Sequence, residues 1–510
     1  MKQVILFLSI FSIIALSSCR KDFSTQLSTG QLEFSKDTVF LDTVFTGIGS
    51  STYALKVYNR SKNDITIPSI QLNKGSDSGY RLNVDGIPGQ YFENIDILAK
   101  DSIYVFIETT IDYSLATDPL YIDELVFDSG ENRQDVKLVT LVQDAVFLFP
   151  NKENGVIETL VIDGEETTIQ GRYLENEELT FTDEKPYVIY GYMMVGTAAN
   201  EPKTLTIEAG TNVHFHANSG LFVNQNSSLQ VLGSLNIEGQ AQTEVVFQGD
   251  RLEPEFENTP GQWGNIILFP YSQNNSIDYT TIKNGTIGII AYGNDTGTPV
   301  LTITNSQIYN NSLFGILGLQ SNIKGNNLAI NNSGLSAFSA MVGGKYEFTH
   351  CSFANSWNTP RSTPNIWLLD SNSRIKKEEE ELFTYELDVN FTNCIISGST
   401  NIELEFEQEG NKDFDFYFAN NLIQFNDVNN IFAGNPFYDF LNTDYFTNNI
   451  FNENPDFKNL QLNELNIGDN SAGIGYANPV GTLLVPIDIL ETPRISPADI
   501  GAYEHIIFEE

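Results

Sequence analysis

The sequence predicts an all-β protein in which an immunoglobulin-like β-sandwich precedes a right-handed parallel β-helix. Three observations carry this. Residues 31–149 read as strands of alternating polarity separated by turn residues. From residue 205 the strands shorten, and Gly and Asn recur between them. From Leu301 a short pattern then repeats: "LTITNSQIYNNS", "NIKGNNLAINNS", "YEFTHCSFANS", "VNFTNCIISGS", "FYFANNLIQFN".

The chain of 510 residues is 41% hydrophobic, ordinary for a folded protein. Its 66 acidic side chains outnumber 27 basic ones, for a net charge of -39. Such a surface repels phosphate backbones and excludes nucleic acid as a partner. It also keeps an exposed β-rich protein soluble.

At the N-terminus, Lys2 precedes an apolar run, Val4 to Leu16, that is too short to span a bilayer. It ends in "LSSC", Leu16 to Cys19. This resembles the lipobox of bacterial lipoproteins, which implies a signal peptide over 1–18 and a diacylglycerol on the Cys19 thiol. Arg20 in place of aspartate after the cysteine implies, by the same resemblance, onward transport to the outer membrane. "RKDF" is similar to the charged export tags of Bacteroidota surface lipoproteins, so the expected location is the outer membrane, lipid-anchored, at the cell surface. Residues 19–30 are polar and read as a tether. Cys351 and Cys394 lie in matching contexts, "EFTHCSF" and "NFTNCII", and read as small buried residues at one point of two repeats.

Residues 31–149 carry the strands of the sandwich, among them "LEFSKDTVFLDTVF", "TYALKVYNR" and "DVKLVTLVQDAVFLF". Residues 150–204 are a transition that caps the N-terminal end of the helix. The β-helix occupies 205–510. Taking Ser306, Asn327, Cys351, Cys394 and Asn421 as equivalent gives spacings of 21, 24, 43 and 27 residues. The double interval contains "DSNSRIKKEEEELFTYELD", read as an insertion over 370–388. Stacked coils lie about 4.8 Å apart, so equivalent residues form ladders. Asparagine suits a tight corner because it tolerates left-handed backbone, and its amide can bond the coils above and below. Asn305, Asn326 and Asn393 are the expected ladder at inward corners, with His350 in one coil and Asn311 pointing outward. Ile303, Ile308, Phe348 and Phe391 are expected inside.

The segments "LTIEAGTNVHFHANSGL", "PGQWGNIIL", "NSQIYNNSLFGIL" and "SAGIGYA…RISPADIGAYE" resemble the pectin-lyase-like β-helix lipoproteins of Bacteroidota. The likeness runs from Leu205 to Glu504. It implies the fold and leaves function open, because this fold carries lyases, hydrolases, adhesins and stalks. Galacturonan hydrolases of the fold show N-T-D before R-I-K; here "RIK" (Arg374 to Lys376) precedes "NTD" (Asn442 to Asp444), and no G-H-G exists. Lys283, Lys324 and Lys345 are scattered, and no aspartate cluster recurs on successive coils. His214 and His216 share a strand face without an obvious third metal ligand, and read as an exposed pair.

The expected function is therefore a lipid-anchored envelope protein that binds a glycan or a surface protein without catalysis. The alternative is a polysaccharide lyase or glycoside hydrolase whose site the motifs do not reveal. Candidate ligand-binding residues are Asp250, Arg251 and Glu253 in the acidic loop Gly249 to Trp263, with Trp263, Trp357 and Trp367 as rings on which a sugar can stack. Tyr279, Tyr292 and Tyr309 are further ring candidates. No catalytic residue and no cofactor is assigned; calcium is the one cation the acidic loop could hold.

Overall fold

A computed structural model describes residues 24–116, 119–293, 297–377 and 380–508. Cys19 and the whole signal segment lie outside the described residues. The chain divides into two compact units, 1–144 and 145–510.

The first unit contains two sheets. One joins Gln26–Leu27, Ile65–Leu72, Leu120–Phe127, Gln134–Gln143 and Thr38–Phe45 in that order, with Tyr91–Ile97 also on Ile65–Leu72. The other joins Glu33–Phe34, Tyr53–Tyr58, Ser102–Thr109, Tyr80–Val84 and Ile87–Gly89. Alternation places Val39, Leu41, Val57, Ile67, Val105 and Leu138 in one buried cluster shared by both sheets. Tyr80 is fully buried, and its hydroxyl donates to the Tyr121 carbonyl at 3.1 Å.

The second unit is built on one 27-stranded sheet whose coiled strands pair in parallel. Most strands pair with the strand three further on, so the chain winds round three faces, consistent with a β-helix. In one coil the first face is Thr204–Glu208, the second Asn212–Phe215 and the third Gly220–Val223. These pair with Ser228–Leu232, Val245–Gly249 and Ile266–Leu268 respectively. In the middle coils the strands run on through the corners, as in Leu301–Asn311 and Phe314–Ser333. The ladder reaches N-terminally of Leu205, because Tyr187–Ile189 already pairs with both Val146–Leu148 and Val213 to Phe215.

One inward column of the first face reads Ile207, Val231, Ile277, Ile303, Gly325, Phe348, Phe391, Phe418, Phe446. Isoleucines and Val231 fill the upper coils. Gly325 leaves room for the Phe348 ring, since a Cβ there would lie 2.6 Å from it. Phenylalanines then stack to the end, with centroids 5.1, 5.0 and 5.7 Å apart. Ile303, Ile308, Phe348 and Phe391 are all buried as expected.

The asparagine corners differ from expectation in register and direction. Equivalent residues between the first and second faces are Tyr279, Asn305, Asn327, His350, Asn393, Asn420 and Asn448, all left-handed with φ of 42° to 57°. The member of the third coil is Asn327, not Asn326, which faces Thr304 and Thr349 on the strand itself. The amides point out of the coil, not into it. They are covered by the C-terminal segment: Asn327 donates to the Ile487 carbonyl, Asn393 to that of Asn478 and Asn420 to that of Tyr476. Asn311, expected outside, is fully buried and accepts from the Gly285 N–H at 3.1 Å.

Residues 455–508 thus form a strap over the outer side of the second face. Leu465, Ile489, Ala502 and Tyr503 close on Ala329 and Ala354, and Ile467 and Ile500 close on Ile395 and Leu422. Cys351 and Cys394 are buried free thiols on adjacent coils. Burial and the neighbouring Cys351 hold the Cys394 thiol well above its ordinary range.

Candidate functional site

The insertion leaves the third face at Leu369 and rejoins the first at Leu387. Asp370, fully buried, pins its root by accepting from the N–H groups of Glu409 and Gly410, both at 2.9 Å. Ser371 bridges to Thr384, and Asn372 closes the loop by accepting from the Phe383 N–H at 2.8 Å and donating to the Glu381 carbonyl at 3.0 Å. This leaves Ile375, Leu382, Phe383 and Tyr385 exposed on a fixed base. Surfaces of different character lie on its two sides.

On the first-face side is a cleft of about 420 Å³ bordered by Tyr385, Asn322, Lys345, Asp388 and Lys412. Strand pairing puts Asn322, Lys345, Asp388 and Asp415 in one column, and Lys324, Glu347, Asn390 and Tyr417 in another. Inward neighbours such as Tyr346 and Val389 are buried, so alternation turns these polar residues outward. Lys345 Nζ lies 3.0 Å from Asp388 and 3.8 Å from Glu347, and its hydrogen bond to Asp388, then the Asp388 charge, raise the lysine pKa. Asn390 donates to Asp388 at 3.0 Å. The result is a lattice of amide, ammonium and carboxylate groups beside an exposed ring. Such a combination offers a ring for stacking and directed hydrogen-bond donors and acceptors, the groups that suit a polyhydroxylated ligand.

On the third-face side stands Trp367, a sequence candidate. Its Nε1 donates to Glu407 at 2.9 Å, and Arg374 lies over its ring at 5.6 Å while gripping Glu407 with bonds of 2.9 and 3.0 Å. Glu405 is the neighbouring outward carboxylate; burial first, then Glu407, raise its pKa, and Arg374 opposes them. Upstream, the Trp367 column continues through Ser339, Leu317, Ile290, Ile267 and Phe222.

Tyr292, another ring candidate, packs in the same apolar cluster as Trp367, whereas Asp250, Arg251, Glu253, Trp263 and Trp357 do not join either surface. Trp263 is a core residue, 1% exposed, stacked on Phe215 at 4.3 Å with its Nε1 bonded to the Lys283 carbonyl, so it offers no ring to a ligand. Arg251 and Glu253 bond each other at 2.9 Å, and Arg251 caps the Phe256 ring at 3.8 Å. Asp250 accepts from His216 Nδ1 at 2.7 Å. The loop is thus tied up internally, and among the described residues no three His, Cys, Asp or Glu side chains are placed to hold a metal. Trp357 is half-buried beside Gly334. His214 is not half of an exposed pair. It is buried, bonds the Gly249 carbonyl at 3.1 Å, and burial pushes its pKa down to about 4.

Tyr385, Asp388 and Lys412 were not picked out by sequence reasoning, and Lys345 read as a scattered lysine. The signal was present in the repeats: aligning "KYEFTHC" with "DVNFTNC" puts Lys345 and Asp388 in one column.

No family model matches the sequence, and no curated protein matches it. Two solved structures show a remote likeness. One is a family 123 glycoside hydrolase from Clostridium perfringens, 12% identical over 22% of this chain and 25% of that one, with a TM-score of 0.16. The other is the catalytic unit of a thermostable GH87 α-1,3-glucanase from Streptomyces thermodiastaticus. It is 11% identical over 72% of this chain and 74% of that one, with a TM-score of 0.31. This chain thus spans a quarter of the first protein and three quarters of the second. Neither likeness bears on function at these scores. Among the described residues no helix is long and apolar enough to cross a membrane.

Proposed function

We propose that the protein is anchored to the outer membrane through a lipid on Cys19 and holds a glycan at the cleft beside Tyr385. The cleft carries this reading: the exposed Tyr385 lines it together with outward Asn322, Lys345 and Asp388. Binding rather than bond cleavage suits its donor set, because Asp388 is already engaged by Lys345 and Asn390. The first unit is read as an immunoglobulin-like spacer between the anchor and the coils, and the coils as right-handed, the hand parallel crossovers favour. The net charge of -39 favours a neutral glycan over a polyanion.

The test is retention of the purified full-length chain on a panel of immobilised neutral polysaccharides. Tyr385→Ala should weaken retention at least about tenfold, the scale of a lost stacking contact with its hydrogen-bonded frame. Trp367→Ala should have little effect. The reverse pattern would move the site to the third face, and no retention on any polysaccharide would reject glycan binding.

A further inference from the structure

Cys351 and Cys394 lie in an inward column that the cleft does not use. Strand register sets them opposite each other on adjacent coils, since Thr349 pairs with Thr392 and Ser352 with Ile395. Both are fully buried, and both belong to the cluster that fills the coils. Register continues this column upstream to Leu328 and Ser306, and downstream to Asn421 and Asn449.

Side chains of this column lean back toward the preceding coil. Ser306 Oγ accepts from the Thr280 N–H at 3.1 Å, Asn421 Oδ1 from the Cys394 N–H at 2.7 Å and Asn449 Oδ1 from the Asn421 N–H at 2.9 Å. Cys394 follows the same lean: its Sγ lies 3.6 Å from the Phe348 carbonyl oxygen, which belongs to the coil of Cys351. Cys351 Sγ lies 3.6 Å from the Gly325 carbonyl oxygen, one coil further up. Cys351 Sγ is also 3.4 Å from the Thr349 carbonyl oxygen, and Cys394 Sγ 3.3 Å from that of Thr392. A thiol is a weak donor, so these contacts hold neither side chain strongly. The stacking distance of about 4.8 Å falls inside the ~4.4–6.8 Å between Cα atoms that a disulfide spans. Cys394 thus already reaches toward the coil of Cys351, and rotation of Cys351 about χ1 turns its sulfur to meet it.

We propose that Cys351 and Cys394 form a disulfide that staples these two coils together. Cys351 lies two residues beyond the strand Ser336–Thr349, which carries Lys345, and Cys394 two beyond Leu387–Thr392, which carries Asp388. The bond closes a loop over 351–394 that contains the whole insertion and Tyr385. The oxidant is a disulfide donor, of the glutathione or protein dithiol class. One cysteine thiolate attacks a sulfur of the donor and expels the other as thiolate. The second cysteine then attacks the mixed disulfide. The Sγ–Sγ bond forms, the two cysteines lose two protons and two electrons, and the donor leaves as two thiols. Both sulfurs are fully buried once the coils stack, so exchange takes place during folding and the finished bond is shielded from reductant. An oxidising compartment for this step rests on the outer-membrane reading; the pairing geometry does not.

The experiment unfolds the full-length chain in urea, refolds it at a fixed ratio of oxidised to reduced glutathione, and blocks free thiols with N-ethylmaleimide in denaturant. Cys19→Ser in the tested chains removes the third thiol, so the result does not depend on the anchor. Tryptic mapping should find residues 346–361 joined to 378–412, with no maleimide on either cysteine and a mass about 2 Da below that of the two reduced peptides. At one glutathione ratio, the folded chain should be oxidised at least about tenfold more than the chain held in urea, because a bond that the coils favour gains from folding. A chain reduced in urea and refolded without oxidant should melt about 5 °C lower, and Cys351→Ala with Cys394→Ala should show no such dependence on oxidant. Maleimide on both cysteines of the refolded chain, or an oxidised fraction no higher in the folded chain than in urea, would overturn the proposal. A bond that forms in glutathione while chain from the native host keeps both thiols free supports the pairing and counts against the outer-membrane reading.

Discussion

Arg494 donates to Asn327 across 167 residues of sequence, Nη2 to Oδ1 at 3.0 Å, joining the strap to the column of left-handed corners. The guanidinium is fully buried. It also donates to the Gly501 carbonyl at 2.9 Å and to Glu504 at 2.9 Å. Burial lowers the arginine pKa, and Glu504, Asp488 and Asp499 oppose it.

Arg494→Met removes that link and leaves Glu504 without its partner. The expected cost is about 3 kcal/mol, the scale for breaking a buried charge pair. Because strap and coils are separate layers, the loss should appear as early proteolysis within 476–505, while cleavage in the coils stays slow. Equal acceleration in both regions would mean that the strap is not a separable unit.

The corner column ranks three asparagines. Asn327→Leu loses its bonds to Asn305 and the Ile487 carbonyl and puts a bulky side chain at a φ of 52°. Asn311→Leu leaves the Gly285 N–H unpaired, at about 1–3 kcal/mol. Asn326→Leu, half-buried on the strand, should stay within about 0.5 kcal/mol. Denaturant unfolding of the three variants should give that order, with Asn327 costliest.

Arg361 and Glu403 form a fully buried pair, with two bonds of 2.7 Å from one guanidinium nitrogen. Burial raises the Glu403 pKa in spite of the arginine. Arg361→Met strands the carboxylate and should cost about 3–5 kcal/mol, whereas Arg361→Met with Glu403→Leu should recover much of it. The double-mutant cycle measured by urea unfolding checks this; additive losses would contradict it.

His214 gives a pH dependence with a definite sign. Its folded pKa, about 4, lies below the unfolded value near 6.5. The unfolded chain therefore takes up a proton first as the pH falls. Stability from this residue is fully present above about pH 6.5 and is lost progressively down to about pH 4. The loss is about 3 kcal/mol, from a gap of about 2.5 pH units. His214→Gln should show a smaller drop in melting temperature between pH 7 and pH 4.5 than the parent chain. An identical drop in both would remove His214 as the cause.

The sequence by itself determined the β-rich class, the approximate period of the coils and, at Ile303, Ile308, Phe348 and Phe391, residues of the core. These follow from alternation and from steric demand: a coil corner needs left-handed backbone, and asparagine supplies it at Asn305, Asn327, Asn393, Asn420 and Asn448. What the sequence leaves open is which asparagine of an adjacent pair does so. In Asn420–Asn421 the first takes the left-handed corner and the second turns inward, donating to Asn449 on the next coil. In Asn326–Asn327 it is the second that turns the corner. The choice is set by the stacked strand, not by the residue type. The strap was equally hidden, because three of its bonds to the corners are made by backbone carbonyls at Tyr476, Asn478 and Ile487, which carry no side-chain signature, and Arg494 lies 167 residues from the Asn327 it holds. So was the cleft beside Tyr385. Lys345 and Asp388 lie 43 residues apart. Only coil stacking at about 4.8 Å makes them neighbours, with Lys345 Nζ 3.0 Å from Asp388.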